Sequence, residues 1–266
     1  MRPAMRIKKK TPYSSSDLRP KEIHLKVPAA WEELNDEDLH IAYNMTINSR
    51  LVDVAKVVFF MNRNGLQLRP LSDGNPEGLF SRNGRRLPMT AADFALVLEE
   101  LSWMEEEPRF PSPRLIAYGH GSHIDPLLHD VPFFDYLKIE NLWQGYLRSQ
   151  DKEALLSIAH IVYRDKEIWR KDERMEEEGM VYGVAVWCKH LHEFFFSKWS
   201  DLFRTSPNPD APAPDLEEIM NAEIRALTGG DITKEAQILS SDTWRALTEL
   251  NEKAREARDM NERMNK

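Results

Sequence analysis

Met180-Val-Tyr-Gly-Val-Ala-Val-Trp-Cys-Lys-His-Leu-His-Glu-Phe-Phe-Phe-Ser-Lys-Trp-Ser-Asp-Leu-Phe203 decides the fold class. It is free of proline and carries Trp187, Phe194, Phe195, Phe196, Trp199 and Phe203 on several sides of a 3.6-residue period. Such a segment is a helix buried all round, or one that keeps a second face for a partner. Burial is the preferred reading, because aromatic stripes at helical spacing mostly build cores. Upstream, helices are predicted over 133–147 and 152–163. The chain is therefore read as mainly α.

Working outward to the N-terminal side, Glu22-Ile-His-Leu-Lys-Val27 alternates polar and apolar residues and reads as a short strand stopped by Pro28. Asn35 is a candidate N-cap with Asp38 at the third position. A second helix fits 50–62 and ends at Asn64-Gly65. The stretch 66–88 holds an Asp73-Gly74-Asn75-Pro76 loop and an Asn83-Gly84 hairpin signal, so a small β element is expected there. Thr90-Ala-Ala-Asp93 is a capping box with Asp in place of Glu, opening a helix through Leu101 and Met104. Pro108, Pro111 and Pro113 then impose an extended passage.

On the other side, 205–215 has four prolines in eleven positions and reads as a semi-rigid linker. Beyond it a helix ends at Gly229-Gly230, and shorter and longer helices follow Asp231 and Ser240-Ser241-Asp242. The expected organisation is a basic flexible tail at 1–20, a main helical domain with a small β element at 21–204, the linker, and a C-terminal helical module at 216–266.

Composition excludes several classes. Charged residues are 30% of the 266 residues and hydrophobic ones 41%, and apolar runs such as Val57 to Met61 stop at five residues. A bilayer crossing needs about 20. No secretory leader is read at the start, because the basic stretch Arg6 to Lys10 runs into Thr-Pro-Tyr-Ser-Ser-Ser16 where an apolar segment would stand. The expectation is a cytoplasmic protein with no membrane partner. Cys188 is the sole cysteine, so an intrachain disulfide and a cysteine zinc cluster are both ruled out. The net charge of −8 weighs against a broad nucleic-acid footprint. Eight bases against two acids in residues 1–26 read as a solvated tail, with an acidic partner or nucleic acid as the other reading.

Three constellations invite chemistry. Gly119-His120-Gly-Ser-His123-Ile-Asp125, with His129 and Asp130 behind it, supplies the ligand types that zinc or iron requires. Its spacing matches no metal motif, and a polar Gly/His loop is the preferred reading. Cys188 and His192 share a helix face while His190 points away, and two ligands are too few for structural zinc. Phosphate-binding, dinucleotide and nucleophile motifs are lacking in the sequence, so no residue is assigned as catalytic or as a metal ligand, no cofactor is expected, and the protein is read as not an enzyme.

The third constellation is C-terminal. The break at Ser240-Ser241 mimics a helix-turn-helix over about 231–258, presenting Arg245, Lys253, Arg255 and Arg258. Seven basic against eight acidic side chains over 231–266 leave no evident phosphate-seeking face. The preferred reading is a packing stripe, in which Leu247, Leu250, Ala254, Ala257, Asn261 and Met264 follow coiled-coil spacing. Trp244, Leu247, Leu250, Ala254 and Ala257 are the candidate partner-binding residues. Docking of Trp244 and Leu247 on residues 21–204 of the same chain is the equal alternative, and oligomerisation through the stripe is also open.

Val131-Pro-Phe-Phe-Asp-Tyr-Leu-Lys-Ile-Glu-Asn-Leu-Trp-Gln-Gly-Tyr-Leu147, with Leu155-Leu156 and Ile161-Val-Tyr-Arg164, resembles the central segment of uncharacterised proteins from prophage tail gene clusters of gut bacteria. Asn221-Ala-Glu-Ile-Arg-Ala-Leu-Thr-Gly-Gly-Asp-Ile-Thr-Lys-Glu235 through Asp242 to Asn251 resembles that family's C-terminal signature, and Pro28-Ala-Ala-Trp-Glu-Glu-Leu34 is similar to its beginning. The resemblance implies a phage tail-morphogenesis protein, an assembly chaperone or structural accessory whose partners are tail proteins such as the tape measure. A nucleic-acid-binding regulator using 231–258 is the alternative.

Overall fold

The computed structural model describes residues 6–7, 23–47, 52–68, 80–83, 85–87, 89–117, 122–164, 174–204 and 216–264. The Asp73 to Pro76 loop, His120 and the proline linker 205–215 lie outside them. The protein is mainly α with small β elements, and it forms two compact units, 1–109 and 110–266.

In the first unit, β1 (Arg6–Ile7) pairs antiparallel with β2 (Ile23–His24). The expected flexible tail is thus tied by backbone hydrogen bonds at this point, since an alternating strand at 23–24 offers an edge to a second extended segment. Helix α1 (Asp36–Ile47) starts where expected, with Asn35 Oδ1 accepting from Asp38 N at 2.8 Å. Helix α2 (Val52–Arg63) ends at Asn64 and Gly65, the latter at φ +60°. Buried Asn64 accepts from Lys26 N at 2.7 Å and donates to the carbonyls of Lys26 and Phe60, so one amide joins the helix end to the chain after β2.

A second antiparallel sheet orders β3 (Gln67–Leu68), β4 (Phe80–Arg82) and β5 (Arg85–Leu87). Arg82 faces Arg85 across the two-residue turn, and Asn83 takes φ 51°, the left-handed geometry that makes Asn a hairpin residue. Helix α3 (Ala91–Glu100) carries the capping box: Thr90 N donates to Asp93 Oδ2 at 2.7 Å and Asp93 N to Thr90 Oγ1 at 3.3 Å. Trp31, Tyr43, Phe59, Phe60, Val97 and Leu101 are the buried core, with Lys56 paired to Glu105 and Arg63 to Asp38 at its margin.

The second unit is a helical assembly. α4 (Phe133–Ser149) and α5 (Lys152–Val162) are joined by Gln150 at φ 56° and capped by Asp151, whose Oδ1 accepts from Glu153 N at 3.0 Å. α6 (Arg174–Lys198) follows, then α7 (Leu216–Thr228), α8 (Glu235–Leu239) and α9 (Thr243–Met264). Trp187 and Phe195 of α6 and Trp199 just beyond its end are buried as expected, whereas Phe196 is exposed and stacks on Phe203. No described helix is long and apolar enough to cross a membrane.

The expected division into 21–204 and 216–266 is corrected. Ala246, Leu247 and Leu250 of α9 share one core with Trp143, Leu155, Trp187 and Phe195, so the C-terminal helices belong to the second unit. The units divide instead at the passage of Pro108, Pro111 and Pro113. A proline-rich linker does not make its two flanks independent when their apolar faces complete a common core.

Candidate functional site

α9 is built in two parts. Its start is locked by an antiparallel bridge between Pro132 and Asp242: Phe133 N donates to Ser241 O at 2.8 Å, and Thr243 N to Val131 O at 2.9 Å. Thr243 is fully buried, and its hydroxyl also donates to Val131 O. Asp242 caps the helix through Arg245 N at 3.1 Å and takes Asp130 N on its other oxygen at 2.8 Å.

The five candidate contact residues separate along this helix. Leu247 (0% exposed) and Leu250 (4%) are core. Trp244 is half-buried and donates its indole N–H to Leu127 O. Its ring stacks on His129 with centroids 4.0 Å apart, meets Trp199 edge-on at 5.1 Å, and lies 4.8 Å below Lys198 Nζ. For Leu247 and Leu250 the outcome is the alternative of packing within the chain, since both are buried in the core, and Trp244 packs there with part of its ring. Ala254 is half-buried and Ala257 exposed. Met260 (62%) and Met264 (71%) follow Ala257 at i+3 and i+7, so one exposed apolar strip runs down the last two turns.

The junction between the halves is held in place. Asn251 Oδ1 accepts from both Asp201 N and Leu202 N at 3.1 Å, and Arg258 pairs with Asp201. Lys253 pairs with Glu249 at 3.2 Å and Arg255 with Glu252. Three of the four cations a duplex-reading helix would present are thus engaged by carboxylates.

The His loop folds against the start of α9. His123 lies in hydrogen-bond contact with Ile124 O at 2.7 Å and edge-on to Tyr163. Asp125 Oδ1 accepts from Leu127 N and His129 N, which shapes a loop with Leu128 at φ 63° and Asp130 at φ 55°. His129, Asp130, Ser241, Asp242 and Arg245 line an open cleft of about 540 Å³. Ser241 gives its hydroxyl to Ile238 O, and both Asp242 oxygens accept backbone N–H groups, so these two act as structural groups there.

Cys188 is buried, and burial followed by the Glu140 charge pushes its thiol well above the usual range. Beside it, His192 Nε2 meets Glu140 Oε2 at 2.6 Å, and Glu140 Oε1 accepts from Gln144 at 2.9 Å. Sequence reasoning missed this pair and the half-buried Glu223. The available signal was Glu223 standing among Met220, Ile224 and Leu227 on the apolar face of α7. Among the described residues, no three His, Cys, Asp or Glu side chains form a metal-ligand group.

Comparison with protein-family models, with curated proteins and with solved structures gives no match for this chain.

Proposed function

We propose that this protein is a non-enzymatic accessory of phage tail assembly that binds a tail protein through the distal half of α9. The carrying observation is the change of environment along that helix. Its first two turns are locked into a core, and its last two present Ala257, Met260 and Met264 to solvent. A helix already fixed at one end pays little ordering entropy when the other end is bound. Methionine thioethers are soft and adaptable, suited to a partner surface that is itself changing during assembly. The process, tail morphogenesis, rests on the sequence resemblance in 131–164 and 221–251.

The same architecture weighs against duplex reading by 231–258. Trp244, Leu247 and Leu250 face inward where a recognition helix would expose its first turns, and Arg255 and Arg258 are paired with acids.

The test is a binding titration against the tail proteins of the same gene cluster, the tape measure first. Ala257→Glu with Met260→Glu is expected to weaken binding at least tenfold, on the order of 1.4 kcal/mol, with the melting temperature unchanged. Equal binding by wild type and variant, or no binding to any tail protein of the cluster, overturns the reading.

A further inference from the structure

In the first unit two short sheets bring cations together. β1 sets Arg6 opposite His24 of β2. His24 and Lys26 are exposed on either side of buried Leu25, the alternation of an extended segment that sends both to one face. The Arg82 guanidinium of β4 donates to His24 O at 3.3 Å and so joins the second sheet to the first. Across the hairpin, Arg82 stands opposite Arg85 of β5. Arg6, Lys26, Arg82 and Arg85 thus come from three separate stretches of chain to one corner.

Their surroundings do not neutralise them. Lys56 and Arg63 of the same unit pair with Glu105 and Asp38, whereas among the described residues no carboxylate pairs with Lys26 or Arg82. Of the acids that follow Lys26, Glu33 accepts from Ala29 N at 3.0 Å. Like charges set directly opposite in a sheet repel, so the Arg82–Arg85 register costs stability that an anion lying across both would restore.

We propose that this corner, through Arg6, Lys26, Arg82 and Arg85, binds the phosphate backbone of duplex nucleic acid. A duplex offers several anions at regular spacing, which suits cations carried on paired strands, and guanidinium forks match phosphate oxygens. The tip beyond Arg82 is a two-stranded antiparallel ribbon, a shape that the major groove of a duplex admits. An acidic peptide would present its carboxylates without that regular spacing or groove. The net charge of −8 is no bar to a local footprint, because exposed charges more than about one Debye length away, roughly 10 Å, are largely screened.

The site is separate from the distal half of α9, and the test keeps the two apart. Fluorescence anisotropy of the full-length chain with a labelled mixed-sequence DNA duplex is expected to show affinity falling on the order of a hundredfold between about 50 and 200 mM salt, a logarithmic slope of about −3.6 for four phosphate contacts. Arg82→Gln with Arg85→Gln is expected to weaken binding at least tenfold at the lower salt and to flatten the slope by about 2, with the melting temperature unchanged or raised. Arg255→Gln with Arg258→Gln is expected to bind within about threefold of wild type. An equal loss in both double variants would assign binding to net charge and overturn the site. Absence of binding at the lower salt would overturn it too, as would displacement of the duplex by polyglutamate at equal charge concentration, which would give the surface to an acidic protein. If the hairpin variant does not fold, Lys26→Gln tests the same face, with a flattening of the slope by about 1 expected.

Discussion

The two halves of α9 share one periodicity and have opposite surroundings. Leu247 and Leu250 are sealed in a core with Trp187 and Phe195, while Ala257 and Met260, continuing down the same helix, face solvent. A 3-4 stripe specifies a helix face and leaves open what covers it. Covering depends on where neighbouring elements end. The bridge at Pro132 and Asp242 and the contacts of Asp201 and Leu202 with Asn251 fix the length over which α9 is enclosed.

That contrast can be broken by substitution. The largest effect is expected from Leu247→Asp, which places an unpaired charge in the core and should cost about 4 kcal/mol or more, read as a collapse of the urea midpoint. Trp244→Ala comes next at about 3 kcal/mol, since it removes the packing with His129 and Trp199 and leaves Leu127 O without its donor. Chemical denaturation would check it. Asp242→Ala should cost about 1 to 2 kcal/mol by removing a helix cap and the acceptor for Asp130 N together. Ala257→Glu with Met260→Glu is expected to change stability by no more than about 0.5 kcal/mol. A cost for this last pair close to that of Leu247→Asp would mean that the distal half is also enclosed, and the distinction between the halves would go.

Much of the local structure was legible beforehand because its causes lie within a few residues. Asn35 and Thr90 cap their helices through side chains that reach three positions on, and the left-handed turn at Asn83 follows from its own backbone preference. Gly229 and Gly230, at φ 65° and 84°, end α7 as their missing side chains allow. The candidate site was legible only in part. The residues Trp244 to Ala257 were found by spacing, but the first three of the named set turned inward. Met260 lies off the 3-4 stripe, so spacing alone does not mark it as a contact residue. Glu223 had the spacing of a core residue and the chemistry of a surface one, and a short-range reading resolves that conflict toward the surface.

The sequence alone determined that the protein is mainly α, where most helices start and stop, and that aromatic α6 is largely interior, because capping, turn geometry and periodicity act over one or two turns of chain. Tertiary packing sets the division of the units at 109 and 110, the joining of Ala246, Leu247 and Leu250 to the core of α4, α5 and α6, and the meeting of Glu140 with His192. Burial of apolar surface is non-directional, so many pairings of apolar faces satisfy the same pattern. The choice among them is made by close packing between residues far apart in the chain, as where Leu247 shares one core with residues of α4 and α6.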